Sequence, residues 1–553
     1  MLLNTHSKDF GAFSDTIRLQ KYAHIKEDGT KESWPETARR VVTAVMSAVQ
    51  APQHTIEVLV QLVTDRVFIP GGRYLSAAGR EYHQTQNCLL MSVEDSREGW
   101  SELLRNASTG LMTGAGIGVE YSLIREEGAP IRRTGGSATG PLALMQMINE
   151  CGRGIMQGGS RRSAIWAGLN WKHKDIFKFI VQKDWSPEVR AMKEKDFNFP
   201  ATMDGTNISV GLDDEFFKAY KDKGHALHAH AQKVYWETVR HMLESAEPGF
   251  SVNLGKDSNE ILRNACTEVS SADDSDICNL GSINMARISS LEEMDRAVEY
   301  GTLFLLAGTV YSDVPYDKVG QIREKNRRLG LGLMGLHEWM LQRNLKYGPS
   351  EELEKYMRVY ERSTAYAERF AWSLKISRPV KTRAIAPTGT IGIVGETTTG
   401  IEPVFCVAFK RRYLSDGVAW KYQYVVDPTA KRLIEAGVAP EHVEDAYSLA
   451  QEPERRIAFQ AWLQKFVDHG ISSTLNLPSW GTEFNNESRV RSFGDMLFRH
   501  LPNLRGITCY PDGARGGQPL TNVKYTTAMK HEGQVFVEAQ DVCDLSKGGS
   551  CGS

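Results

Sequence analysis

The sequence Asn264-Ala-Cys266-Thr-Glu268 places an amide, a thiol and a carboxylate at alternate positions. Alternate residues of an extended chain point to the same side, so these three side chains would face one substrate. Two further thiols stand out, Cys278 in Ile-Cys-Asn-Leu-Gly-Ser and Cys88 in Gln-Asn-Cys-Leu-Leu. Each thiol alone is explained as well by a small buried apolar side chain. The residues by themselves therefore leave both interpretations open.

Composition sets the limits within which this site has to be understood. The chain has 553 residues, of which 41% are hydrophobic and 24% charged, as in an ordinary globular protein. Its length allows several domains or one large α/β barrel. The formal net charge of −2 gives no overall attraction to nucleic acid or to an anionic membrane, so we expect neither as a partner. Any phosphate binding must be local.

The sequence has no run of about 18 apolar residues and no secretory signal at its start, so a cytoplasmic location is the expectation. In a reducing compartment, cysteines are buried thiols or redox groups. None of the cysteines has CxxC spacing, and we expect no metal site. The eight cysteines are Cys88, Cys151, Cys266, Cys278, Cys406, Cys509, Cys543 and Cys551.

Local patterns predict a helical segment followed by a mixed α/β body. Trp34-Pro-Glu-Thr is typical of a helix start. From Phe68 onward, glycine-rich turns alternate with short apolar runs. Asn207-Ile-Ser-Val-Gly predicts a short strand. The range 321–343 predicts a buried helix pair interrupted near its glycines.

Order and spacing of the three cysteine segments resemble those of ribonucleotide reductase catalytic subunits, over nearly the whole chain. The resemblance implies that Asn264 to Glu268 form the active-site finger loop, in which Cys266 carries a thiyl radical. Glu268 would act as general base on the 3′ hydroxyl, and Asn264 would orient the ribose hydroxyls. Cys88 and Cys278 would supply two electrons and end as a disulfide.

The fold expected from this family is a ten-stranded α/β barrel of two five-stranded half-sheets, with the Cys266 loop at its centre. The corresponding division of the chain is a helical segment at 1–65, the catalytic barrel at 66–530 and a C-terminal segment at 531–553. The strand count comes from the resemblance, since periodicity does not give it.

A second motif, Ala386-Pro-Thr-Gly-Thr-Ile391, resembles the substrate-phosphate loop of the family. Hydroxyl side chains and free N–H groups at a helix start suit a phosphate. Without the resemblance, an ordinary turn explains it as well. The segment Gly114-Ala-Gly116-Ile-Gly118 lacks the spacing of a dinucleotide-binding loop. The expected substrate contacts are Asn87, Gly116, Ala265, Thr267, Thr388, Gly389, Thr390 and Ile391.

Asp95, Arg125 and Arg132 fall where the family binds deoxynucleotides as specificity effectors. Ordinary surface salt bridges are the alternative for these charges. The segments 135–140 and 157–162 resemble the two loops that relay effector identity to the active site.

The reductase classes differ in how the radical is made. No Tyr-Tyr pair is present, whereas the class with a separate di-iron subunit carries one near its C-terminus. The sequence instead resembles the class that uses adenosylcobalamin. The alternatives are a large subunit of the di-iron class and a nucleotide-binding relative without catalysis, which the complete set of Asn264, Cys266 and Glu268 disfavours.

Cys543 and Cys551 lie in a Gly- and Ser-rich terminus, which we expect to be mobile. In the family, such tail thiols pass electrons from a thioredoxin-like partner to the buried disulfide. The alternative is an idle tail. Ribonucleoside diphosphates and triphosphates are both candidate substrates, and the class includes monomers and homodimers.

Overall fold

A computed structural model describes residues 9–132, 134–157, 161–196, 199–415, 419–514, 520–532 and 534–537. Outside these ranges lie Cys543 and Cys551, which the sequence predicts to be redox-active, and residues 158–160 of one predicted effector loop. In the described part of the chain, no helix combines the length and apolar character needed to span a membrane.

The strands are β1 Phe68–Pro70, β2 Cys88–Ser92, β3 Gly116–Glu120, β4 Pro130–Ile131, β5 Gly136–Ser137, β6 Met156–Gln157, β7 Arg161–Arg162, β8 Ile165–Asn170, β9 Thr206–Asp213, β10 Gly249–Asn253, β11 Leu262–Arg263, β12 Ser270–Ser271, β13 Asp276–Asn284, β14 Leu329–Met334, β15 Ala408–Ser415, β16 Ala419–Val426, β17 Thr474–Leu477, β18 Gly506–Pro511, β19 Leu520–Asn522 and β20 Val535–Val537.

The helices are α1 Ala12–Lys21, α2 Trp34–Ser47, α3 Gln53–Thr64, α4 Gly72–Ala77, α5 Arg97–Thr113, α6 Pro141–Gly154, α7 Ile176–Ile180, α8 Pro187–Lys195, α9 Asp214–Lys221, α10 His228–Ser245, α11 Leu291–Tyr311, α12 Asp317–Asn326, α13 Leu336–Gln342, α14 Glu351–Tyr360, α15 Ser363–Leu374, α16 Gly389–Gly395, α17 Pro428–Glu435, α18 Ala446–Leu449, α19 Pro453–Leu463, α20 Glu487–His500 and α21 Tyr525–Lys530.

Ten strands form one hydrogen-bonded sheet, which is built from two parallel halves. β2, β3, β8, β9 and β10 are parallel neighbours in that order. In the other half, β13 pairs parallel with β14, and β17 pairs parallel with β18. The halves meet antiparallel where β13 pairs with β2 and where β10 pairs with β18.

Single parallel bridges from Leu331 to Arg383 and from Ile385 to Ile471 connect β14 with the chain that enters β17. Residues 383–385 therefore take a strand's place between them, and the sheet closes into a barrel. β1 adds a short antiparallel strand beside β13. The predicted ten-stranded α/β architecture is confirmed.

Helices cover the outside of the barrel because alternate strand residues point outward. Leu89 of β2 and Ile117 of β3 lie in the apolar cluster under α5 and α6. Their neighbours Cys88 and Leu90 point inward and form a smaller apolar cluster with Cys278. The strand period of two thus separates helix contacts from the barrel interior.

Local signals gave correct elements where they were strong. α2 begins at Trp34 as predicted, with a capping box between Ser33 and Glu36. The strand predicted at 207 is part of β9. A second, four-stranded sheet of β19, β15, β16 and β20 lies within and beyond the range predicted as barrel. The division of the chain into domains stays a prediction.

The helix pair predicted over 321–343 is wrong in its centre, where the chain forms strand β14. A Cβ at Gly330 would lie 2.8 Å from the carbonyl oxygen of Asn279, and one at Gly332 would lie 2.8 Å from that of Ala384. The glycines permit close packing of neighbouring backbones and do not mark a break between helices.

A hairpin of β11 and β12 leaves the barrel wall after β10 and returns before β13. It packs inside against β3, where a Cβ at Gly118 would lie only 1.8 Å from the carbonyl oxygen of Arg263. The hairpin can lie there only because residue 118 has no side chain.

We predict that Gly118→Ala destabilises the protein by about 3 kcal/mol or more, since backbone atoms must move to admit the methyl group. Urea denaturation would measure this. Gly154→Ala is the matched control, because a Cβ there meets nothing within 4 Å. Equal stability of the two variants would contradict the close approach.

Candidate active site

The tip of the β11–β12 hairpin, residues 264–269, is closed by its own hydrogen bonds. The Asn264 carbonyl accepts from the Thr267 N–H at 3.0 Å. The Asn264 side-chain oxygen accepts from the Val269 N–H at 2.9 Å. Thr267 has a left-handed backbone conformation, with φ of 68°. Asn264 therefore stabilises the loop itself. The sequence predicts only that it orients the substrate.

The structure places Cys88 and Cys278 at directly paired positions of the antiparallel strands β2 and β13. Paired residues of such strands have Cα atoms about 4.5–5.5 Å apart, within the range that a disulfide spans. Both thiols are free and buried. Burial raises the pKa of each thiol well above its usual value. Both side chains are therefore protonated thiols at neutral pH.

The hairpin tip lies next to this pair of thiols. The Sγ atom of Cys88 is 4.0 Å from Oε1 of Glu268. Cys266 is only half-buried, whereas Glu268 is almost fully buried. Burial, followed by the neighbouring Glu268 carboxylate, raises the pKa of the Cys266 thiol. The structure thus brings together the amide, the carboxylate and three protonated thiols predicted from the sequence.

Among the hairpin-tip residues and the opposed thiols, Glu268 is a group whose protonation can change near neutral pH. Burial raises the pKa of its carboxyl to about 7. Its Oε2 atom has no hydrogen-bond partner within the described ranges. A buried carboxyl oxygen without a partner costs free energy, and a hydroxyl group of a substrate would satisfy it.

Other predicted substrate contacts surround the tip. The Gly116 N–H donates to the carbonyl of Asn87 at 2.8 Å. A Cβ at Gly116 would lie 3.2 Å from the Cβ of Ala265. Thr267, at the tip, is half-buried. Asn87 and Gly116 therefore lie next to the tip residues that flank Cys266.

The predicted phosphate loop precedes and begins α16. Thr388 has φ of 52°, and its hydroxyl accepts from the Gly400 N–H at 2.7 Å. Gly389 is exposed and Thr390 is half-buried. The Ile391 side chain is buried in the main apolar core, so only its backbone can contact a ligand.

The predicted effector residues follow the carboxyl ends of β2 and β3. Cys88, by contrast, lies at the first residue of β2. Arg125 donates to Asp95 at 2.6 Å in a pair that is 40% and 30% exposed. Arg132 is exposed. An exposed pair of this kind is also what the surface salt-bridge alternative predicts.

Sequence reasoning missed the buried charges at the base of the hairpin. Arg263 is 1% exposed and donates to Asn253 Oδ1 at 2.6 Å, and burial lowers its pKa to about 9. Arg328 donates to Asp276 at 2.6 Å and to Glu260 at 3.0 Å. These residues are far apart in sequence and match no motif, so no local signal could have identified them.

In the described part of the chain, no group of three or more His, Cys, Asp or Glu side chains is arranged to hold a metal ion. Fold and site together define an α/β barrel protein in which a central hairpin brings one thiol beside two opposed thiols of the barrel wall. The model of the ribonucleotide reductase barrel domain matches residues 86–252, 253–378 and 377–501. The chain belongs to the ribonucleotide reductase family.

Three similar proteins carry names that include a cofactor. The vitamin B12-dependent ribonucleoside-diphosphate reductase of Thermoplasma acidophilum is 26% identical, over 94% of this chain and 73% of that protein. One from Mycobacterium tuberculosis with the same name is 26% identical, over 92% and 80%. A putative adenosylcobalamin-dependent ribonucleoside-triphosphate reductase of Mycobacterium phage D29 is 24% identical, over 97% of both chains.

We predict that mild oxidation joins Cys88 to Cys278, because their strand positions already satisfy disulfide geometry. Peptide mass spectrometry would detect the cross-linked peptide and its loss of two hydrogens. Cys88→Ser should abolish this product. Cys509→Ser, which removes another buried thiol, should leave it unchanged. A different pairing for Cys278 would contradict the arrangement.

Proposed function

We propose that this protein reduces ribonucleotides to 2′-deoxyribonucleotides by thiyl-radical chemistry and uses adenosylcobalamin to make the radical. The observation that carries the proposal is the position of the Cys266–Glu268 tip beside the opposed thiols of Cys88 and Cys278 inside one barrel. A reductase of this kind needs a hydrogen-abstracting thiol, a base and a two-electron donor within reach of one ribose.

The chain's own residues fit an external radical generator. Cys266 and Thr267 are the half-buried residues of the tip, while Cys88, Cys278 and Glu268 are buried. A cofactor that reaches the tip from solvent would therefore meet Cys266 before the other thiols, and Cys266 and Thr267 are the residues that would contact it. When bound, adenosylcobalamin supplies the radical that removes the hydrogen atom from the Cys266 thiol. The names of the relatives support the same cofactor.

The first steps on the substrate use Cys266 and Glu268. The Cys266 thiyl radical takes the hydrogen atom from C3′, so that an S–H bond forms as the C–H bond breaks. The ionised Glu268 takes the proton of the 3′ hydroxyl, which eases loss of the 2′ hydroxyl as water. The unpartnered Oε2 of Glu268 is the atom that would accept this proton.

The later steps use the opposed thiols. Cys88 and Cys278 together give two electrons and two protons and become a disulfide, and these balance the oxygen that leaves as water. Glu268 returns its proton to the 3′ oxygen, and Cys266 returns its hydrogen atom to C3′ and is again a thiyl radical. The high pKa values of the buried thiols keep these hydrogens on sulfur until they are needed.

The phosphate end of the substrate would bind at the start of α16. The exposed Gly389 and the half-buried Thr390 offer backbone N–H groups there, where the helix dipole favours an anion. The relatives' names include both diphosphate and triphosphate reductases, so both substrates belong in the assay.

The proposal extends to partners. Asp95, Arg125 and Arg132 would bind deoxynucleotide effectors, and a homodimer is one expected state. Cys543 and Cys551 would carry electrons from a thioredoxin-like protein to the buried disulfide. Such partners operate in the reducing cytoplasm, which is the proposed location. These assignments derive from the sequence resemblance.

We predict that purified protein with adenosylcobalamin, dithiothreitol and a ribonucleoside diphosphate or triphosphate forms the 2′-deoxyribonucleotide. Cys266→Ser should abolish turnover and retain nucleotide binding, because an alcohol does not form the radical under these conditions. Chromatography of the products measures turnover, and equilibrium dialysis with the nucleotide measures binding. Turnover only after addition of a second, iron-containing subunit would contradict the cofactor assignment.

Glu268 gives a pH prediction. Its carboxyl must be ionised to act as a base, and its pKa is about 7. We therefore expect kcat to fall as the pH drops below about 7, rather than below the ordinary value for glutamate. Glu268→Gln should lower kcat about 10²- to 10⁴-fold and remove this acid limb.

Glu120→Gln is the matched control for the pH profile. Glu120 is also a buried carboxyl, and burial raises its pKa to about 7. It lies at the end of β3 and bonds to Ser122. The Glu120→Gln variant should retain the acid limb of the pH profile. If this variant loses the acid limb, the assignment of the titration to Glu268 is wrong.

A further inference from the structure

The hairpin tip is held from outside by one short segment of the chain, residues 469–470. The Gly470 N–H donates to the carbonyl oxygen of Glu268 at 2.6 Å. One residue earlier, His469 Nδ1 accepts from the N–H of Ser270 at 3.3 Å. On the other side of the tip, Asn207 is 3.5 Å from the carbonyl of Ala265. The segment 469–470 thus contacts the hairpin at Glu268 and at Ser270, two residues later in the chain.

His469 is suited to accept a hydrogen bond and not to carry charge. The side chain is completely buried. Burial, together with the positive charges of Arg328, Lys381, Arg505 and Arg263, holds the pKa of His469 well below its usual value. A neutral ring can accept at Nδ1 with its proton on Nε2, whereas a protonated ring would turn a donor toward the Ser270 N–H.

The nearby carboxylates form ion pairs with Arg328 and Lys381 and not with the imidazole of His469. Glu260 pairs with Arg328 and Lys381, and Asp276 pairs with Arg328. Nε2 of His469 has no hydrogen-bond partner in the part of the chain that the structure describes. Within the described residues, the ring's hydrogen bond is therefore the one from the Ser270 N–H of the hairpin, which favours a positioning role for the imidazole.

Gly470 allows this contact because it has no side chain. A Cβ at position 470 would lie 3.2 Å from the carbonyl oxygens of both Thr267 and Glu268. The segment is fixed on its other side by the chain that leads to α16. The Ile385 N–H donates to the Gly470 carbonyl at 3.2 Å, and the Ser472 N–H donates to the Ile385 carbonyl at 2.8 Å.

We propose that His469 and Gly470 form a clamp that positions Cys266 and Glu268 relative to the substrate-phosphate loop. The clamp bonds to the hairpin on one side and to Ile385, three residues before Thr388, on the other. His469 and Gly470 are positioning residues, since they act through Glu268 and Ser270 and do not touch the reacting atoms. The proposal rests on the proposed reductase function for its kinetic consequence only.

The test compares His469→Leu, which removes the acceptor, with His469→Asn, whose side-chain oxygen can take the place of Nδ1. We expect His469→Leu to lower kcat about 10- to 100-fold, because small displacements of a catalytic group have effects of this size. KM for the nucleotide should change little. His469→Asn should restore most of kcat. A change in KM with kcat retained would overturn the proposal.

The reactivity of the Cys266 thiol gives a readout that does not need turnover. Alkylation by iodoacetamide is followed by peptide mass spectrometry, with the half-buried Cys151 on α6 as internal reference. Loss of the clamp should raise alkylation of Cys266 severalfold relative to Cys151, and His469→Asn should reverse this. If wild-type protein shows no reductase activity, the proposed function fails while this comparison still decides the clamp.

Two further variants separate positioning from folding. His337 is an equally buried histidine whose Nδ1 accepts from the Val404 N–H at 2.9 Å. His337→Leu should lower thermal stability without raising Cys266 alkylation. Gly470→Ala, which pushes on the Glu268 carbonyl, should reproduce the effects of His469→Leu and serves if that variant does not fold. Equal Cys266 reactivity in wild type and Gly470→Ala would overturn the clamp.

Discussion

The close approach of the hairpin backbone to β3 is the constraint on which the rest of the site depends. At Gly118 the two backbones leave no space for even a methyl group. A chain segment inside a barrel loses its contact with water, so its N–H and carbonyl groups need partners. The tip meets this need through its own bonds at Asn264 and through Gly470 and His469. Close packing and these hydrogen bonds together therefore fix the position of Cys266.

The base of the hairpin is fixed by charge. Glu260, Asp276 and Arg328 form a buried network, and Arg263 bonds to the end of β10. Buried ion pairs add little net stability, but removal of one partner leaves an uncompensated charge at a cost of about 3–5 kcal/mol. The network therefore acts mainly by fixing the position of the hairpin base. Burial keeps His469 neutral, and the cations of this network add to the effect because they surround the imidazole.

The thiols differ in position and in the exposure of the residue. Cys88 and Cys278 lie in an apolar cluster with Leu90 and Leu262 inside the barrel. Cys266 lies at the half-buried tip. An apolar environment disfavours thiolates, so the opposed pair retains its hydrogens, and burial of the Cys266 thiol has the same effect at the tip. Under the proposed function, one barrel would hold the radical-forming thiol on its hairpin tip and the electron-donating pair on its wall.

The sequence alone determined the residue types of the site, their order, and the helix start at Trp34, because these depend on neighbours in the chain. Tertiary structure decided the rest. β14 is a strand because its glycines fit against backbone from distant segments, which no periodicity reveals. The Ile391 side chain lies in the core, and Asn264 holds its own loop. His469 meets Ser270 only after the barrel closes, since 199 residues separate the two along the chain.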